Sequence, residues 1–120
     1  MDAVTFISAL KHCKEQSIIF HHQTDNFSCH KATDTFYSEI VDLIDGLVES
    51  YSGIYPKPTG YMNEPFVDYV DVPTTIQYFK DLYDFIKVSR TSIMTESFLQ
   101  NQIDEIVELV ASTIYMLNLK

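Results

Sequence analysis

Four residues in the second quarter of the chain, His30, Asp34, Asp45 and Glu49, are imidazole and carboxylate groups of the kind that hold first-row transition metals. His30 and Asp34 stand one helical turn apart, as do Asp45 and Glu49, so on a helix each pair points at a common spot. The pairs themselves are separated by eleven residues from Asp34 to Asp45, or about 16 Å at a rise of roughly 1.5 Å per residue. One helix therefore cannot close one site with all four. Two copies packed antiparallel about a two-fold axis can, with His30 opposite Glu49 and Asp34 opposite Asp45. Both pairings put the axis between Glu39 and Ile40, which predicts a dimer with two equivalent shared sites. Ile40→Arg, next to that axis, is then expected to cost assembly and metal binding together.

The element that must carry these residues is a helix over 28–53. Ala32, Phe36, Tyr37, Ile40, Leu43, Ile44, Leu47 and Tyr51 fall on one broad arc, a core face. Lys31, Thr35, Ser38, Glu39, Asp42, Gly46 and Ser50 fall opposite, on a solvated face. Asp25, Asn26 or Ser28 would cap its start and Gly53 would end it. A first amphipathic helix over 2–22 repeats Ala3, Phe6, Leu10, Cys13, Ser17 and Phe20, widened by Val4, Ile7 and Ile18. It ends in His21 and His22, and the short join to 28 makes the two helices antiparallel neighbours. His12 falls on its polar side. Cys13 reads as core and Cys29 as a partly buried thiol.

Residues 54–73 hold all four prolines and a scatter of aromatics. They read as a long ordered crossover in which Tyr55, Tyr61, Phe66 and Tyr69 need somewhere to pack. A third helix starts after Asp71 or Val72 with Pro73 in its first turn and buries Ile76, Phe79, Tyr83 and Ile86. After a polar break at Ser89 to Ser92, a fourth runs from near Thr95 to about Asn118. Leu99, Ile103, Ile106, Val107, Val110, Ile114 and Leu117 make its stripe, and Asp104, Glu105 and Glu108 its solvated face. The fold class is all-α, one domain over 1–120: a four-helix bundle with a long crossover between helices 2 and 3.

Composition narrows the partners. A net charge of −9, with no basic run, argues against general binding to a nucleic-acid backbone and favours cations. Two cysteines do not make a disulfide framework, and no apolar run approaches a signal peptide or membrane span. A cytoplasmic chain with reduced thiols is expected.

The run H-x3-D-x10-D-x3-E over 30–49, with a histidine just before the second helix, resembles the ferroxidase region of Dps-type miniferritins. It is similar also to small Dps-like proteins of tailed phages, in which an F-H-x-Q-T segment, here Phe20 to Thr24, precedes such a helix. The resemblance is clearest over 18–53. It implies a ferritin-like bundle assembling through a two-fold helix-2 interface into a hollow shell, commonly of twelve subunits, that oxidises Fe(II) to Fe(III) with peroxide or oxygen. It also implies His21, His30 and Asp34 as ligands from one chain and Asp45 and Glu49 from its mate; zinc or manganese would suit the same donors. Where the family commonly has tryptophan after its first histidine this chain has His22, so either imidazole fits that role. No lysine-rich tail accompanies the pattern, and direct nucleic-acid binding is not expected. Beside a ferroxidase and iron-storage protein stands a non-catalytic helical assembly or interaction protein that keeps the bundle.

Overall fold

The computed structural model describes all residues 1–120 as four helices with no strand: α1 (Ala3–Gln23), α2 (Phe27–Ile54), α3 (Val72–Ile93) and α4 (Ser97–Leu117). Three starts are fixed by local chemistry, since Asp2, Asn26 and Asp71 accept hydrogen bonds from the backbone N–H of Thr5, Cys29 and Thr74. α3 carries Pro73 in its first turn as expected. α4 has Glu96 at its N-cap position without a side-chain cap bond. Its carboxylate is instead taken by the Tyr55 hydroxyl at 2.7 and 2.8 Å, which pins the end of α2 to the start of α4.

Two boundaries differ from the sequence expectation. α2 runs through Gly53 to Ile54, and the break comes from Pro56, which forces Tyr55 into extended backbone (φ −119°, ψ 161°). α3 continues through Ser89 to Ser92 and stops at Met94. Ser89 is buried, and the true break is closed from the far side. Gln100 donates to the carbonyls of Arg90 and Met94, while Arg90 donates to the Gln100 side chain and carbonyl and pairs with Asp104. α3's last carbonyls thus find partners on α4.

The core is a single cluster drawn from all four helices, with Phe6, Leu10, Phe36, Ile40, Leu47, Phe79, Ile86, Leu99, Ile103 and Val110 fully enclosed. α2 keeps its expected arc, although Tyr37 and Leu43 are only half-buried. In α3 the stripe is rotated by one residue, Thr75, Phe79, Leu82, Ile86 and Ser89 being buried and Ile76 and Tyr83 peripheral. Ile40 has no exposed surface. Ile40→Arg would thus bury a charge in the subunit core and disrupt folding, so it cannot probe an interface.

α1 packs on α2 and α3, and α4 packs on the same two from the other side. The crossover, 55–71, explains how a chain reaches this order. It runs along α1 in the same direction as that helix. Ser8 Oγ accepts from Met62 N–H, His12 Nε2 donates to the Pro65 carbonyl, Gln16 exchanges two bonds with Val67, and Gln23 accepts from Tyr69 N–H. Ser8 and Gln23 lie about 22 Å apart along a helix at 1.5 Å per residue, a distance that Met62 to Tyr69 covers in seven steps. The crossover therefore rises by about 3.2 Å per residue, the rise of a β-strand. Crossing the whole bundle, it starts α3 at the end where α2 began, giving helices in the order up, down, down, up. His12 is accordingly not a solvent residue: it stacks on Phe66 (4.7 Å between centroids) and accepts a long bond from the Tyr78 hydroxyl. Tyr55 and Tyr69 pack against the core, whereas Tyr61 and Phe66 stay 42% and 46% exposed.

Gln16 is fully buried, and its amide satisfies both backbone groups of Val67. Gln16→Leu is expected to cost about 1–3 kcal/mol, the usual toll of stranding polar groups, and to speed exchange of the Val67 amide; denaturant melts and hydrogen exchange check both. The Tyr55 bond holds the Glu96 carboxyl below its ordinary 4.5, while the same bond raises the Tyr55 phenol. A depressed carboxyl stabilises the fold above its unfolded value, and that contribution is lost as pH falls through the lower folded value. Tyr55→Phe should therefore flatten the acid limb of stability against pH, measured by urea melts below about pH 5.

Candidate metal centre at the α1–α2 junction

His21 sits in the last turn of α1 and His30 in the first turn of α2, and the tight turn at Thr24 to Asn26 brings them face to face. Their rings stack with centroids 3.8 Å apart and planes 21° from parallel. His21 Nδ1 donates to the His30 carbonyl at 2.8 Å and His30 Nδ1 donates to the His21 carbonyl at 3.1 Å. A carbonyl only accepts, so both rings carry the proton on Nδ1. The His21 carbonyl, one of those a helix end leaves unpaired, is thereby satisfied. In the neutral rings both Nε2 atoms keep their lone pairs, and backbone bonds hold each ring in orientation.

His22 is exposed, tilted 55° to the His21 ring at 5.6 Å, and has no hydrogen bond. Of the two candidate imidazoles it is His21 that meets His30. Asp34 is half-buried one turn along α2, next to the Tyr37 hydroxyl, whose pKa rises because of that carboxylate. The Tyr37 ring stands edge-on to His21 at 5.3 Å. The sequence reading placed Tyr37 on the core face and missed it here; its position three residues after Asp34 was the available signal.

Asp45 and Glu49 are exposed farther along α2 and do not approach this cluster. Asp45 shares a shallow depression with Lys11, Lys14, Glu15, Val41 and Ile44 between α1 and α2. Within one chain no three His, Cys, Asp or Glu side chains converge on a point. Of the five sequence-predicted residues the structure brings together only His21 and His30; Asp34 lies one turn along α2 beside Tyr37, and Asp45 and Glu49 lie about three to four turns beyond it. Cys29 is fully buried and its thiol pKa is raised chiefly by burial, so it contributes no ready ligand. No helix is long and apolar enough to cross a membrane.

A four-helix, all-α chain with a paired-histidine junction is the class that these observations define. Residues 21–117 match DUF5856, a family of unknown function, and the chain belongs to that family. Neither the curated proteins nor the solved structures hold a match to it.

The reciprocal bonds make a direct expectation for solution. Long-range ¹H–¹⁵N spectra should show His21 and His30 in the Nδ1–H form. His30→Ala should remove the ring stack and the bond to the His21 carbonyl, while His21 Nδ1 keeps its bond to the backbone carbonyl of residue 30, lowering unfolding free energy by about 0.5–1.5 kcal/mol in denaturant melts.

Proposed function

We propose that the chain is a ferritin-like, Dps-type subunit that oxidises Fe(II) at sites shared between two-fold related copies. The observation that carries the reading is the His21–His30 pair: two imidazoles from different helices, each fixed through Nδ1 with Nε2 free. Asp34, one turn after His30 on α2, is the nearest carboxylate along that helix. The single crossover running the length of the bundle, with its up, down, down, up order, is the connectivity of ferritin-like folds.

The donor set fits iron as substrate, since imidazole and carboxylate both hold Fe(II) and added carboxylates favour Fe(III). Planes only 21° apart do not converge within a metal–imidazole bond of about 2.0–2.1 Å. The two rings therefore serve separate ions. Glu49 and Asp45 of a second copy, opposite His30 and Asp34 under the antiparallel pairing, complete the two half-sites. With hydrogen peroxide as oxidant, two Fe(II) give up one electron each, the O–O bond breaks, and two protons complete two waters. Tyr37 orients the Asp34 carboxylate from the same helix.

A specific observation favours a second reading. The reciprocal bonds already explain the His pair as a clamp between α1 and α2. On that reading the chain is a helical assembly or interaction protein without iron chemistry.

Anaerobic Fe(II) titration followed by peroxide, with molar mass from light scattering on the same sample, separates the two. The ferroxidase reading expects saturable binding in an oligomer and oxidation lost in Asp34→Ala with the oligomer intact. Val41, 38% exposed, and Ser38 face each other across the proposed axis. Val41→Arg should then yield a folded monomer with iron binding lost. Full iron affinity in that monomer would sink the shared site, and an oligomer that binds no iron would establish the clamp reading.

A further inference from the structure

From Pro65 onward the crossover is strand-like with only one edge in use. The Pro65 carbonyl, both Val67 backbone groups and the Tyr69 N–H turn toward α1 and are paired by His12, Gln16 and Gln23. In extended backbone, alternate residues direct their N–H and C=O to opposite edges. The groups of Glu64, Phe66, Asp68 and Val70 accordingly turn outward, and none of them has a hydrogen-bond partner. All four residues are exposed, Phe66 and Val70 to 46% and 70%. This segment lies over the groove between α1 and α3, with Pro65 and Glu64 above Tyr78, Asp81 and Phe85. Its other end is fastened to Gln23, two residues past His21 of the candidate metal centre.

We propose that this outer edge, Glu64 to Val70, receives an extended basic segment of a partner protein as an added strand. Main-chain bonds to Phe66, Asp68 and Val70 supply the pairing, and the alternation of side chains supplies the recognition. Glu64 and Asp68 share one face of the extended segment, flanking Phe66, so the partner that fits carries Lys or Arg at matching spacing with an apolar residue between. A second copy of this chain is a poor occupant. An antiparallel self-pairing centred on Phe66 sets Glu64 against Asp68 of the other copy, and directly opposed like charges destabilise a pair. The chain's net charge of −9 points the same way.

The test uses the full chain and a short acetylated peptide of alternating lysine and valine, followed by amide hydrogen exchange and fluorescence anisotropy. In the free protein the Val67 and Tyr69 amides should exchange slowly and those of Phe66, Asp68 and Val70 fast. Peptide should slow these last three by about tenfold or more. The same peptide N-methylated along its pairing edge should not bind, and Glu64→Gln with Asp68→Asn should weaken binding by about tenfold. Asp68→Asn keeps an oxygen for Gln23, so the crossover stays seated. Equal binding of the N-methylated peptide would reduce the effect to bulk charge attraction and overturn the proposal. So would absence of binding, or protection of the three outer amides in a peptide-free dimer.

Discussion

A row of polar side chains on α1 decides what this chain can be. Ser8, His12, Gln16 and Gln23 are spaced so that they line one side of the helix, and together they stand in for the neighbouring strand that an extended segment ordinarily needs. Only because they hold the crossover along the bundle can α3 start beside the beginning of α2. A short turn after α2 would have sent α3 back antiparallel to it and produced the simple up-and-down bundle. The buried amide of Gln16 costs nothing in this setting, since both of its hydrogen-bonding ends are matched by Val67.

That constraint also sets where chemistry collects. The end of α1, the starts of α2 and α3 and the end of α4 meet at one pole, where Gln23, His21, His30 and Thr75 lie. The other pole is closed by Tyr55 on Glu96. The imidazole pair thus sits at a helix junction braced from two directions, by its own reciprocal bonds and by the crossover's final attachment at Gln23.

Periodicity in the sequence carried most of the architecture. Caps, the number of helices and the α2 core arc follow from local chemistry and 3.6-residue spacing, as does the encounter of His21 with His30 once the join is short. The path of the crossover did not show, because its attachments join residues about fifty apart in sequence, such as Gln16 and Val67, and leave no local pattern. A lone glutamine on a helix reads as solvated. Gly53 and the run Ser89 to Ser92 misled for a related reason: tertiary bonds from Gln100 and the stop imposed by Pro56 outweigh local preference. At the candidate site the approach of His21 to His30 was legible, because a short join between antiparallel helices brings those two ends together. The parallel set of the two rings, the place of Tyr37 and the lysines beside Asp45 depend on packing and were not.

The same spacing that pairs the two halves of the α2 stripe carries an electrostatic consequence. In the proposed dimer Asp34 faces Asp45 of the other copy, and Asp42 and Glu49 add to an outward face on which Lys31 is the one cation. Like charges set opposite each other resist association. Lys11 and Lys14 beside Asp45 relieve part of this from α1. On the ferroxidase reading a bound cation would relieve what remains, and it would gain two carboxylates only when the second copy arrives. Metal binding and assembly are then linked in the strict sense: whatever factor the cation adds to dimer affinity, dimerisation adds to cation affinity. A clamp that serves only to join α1 to α2 has no such coupling, because its bonds are complete within one chain. The two readings of the histidine pair therefore differ less in what the pair looks like than in whether its free Nε2 atoms ever meet the acids on another copy.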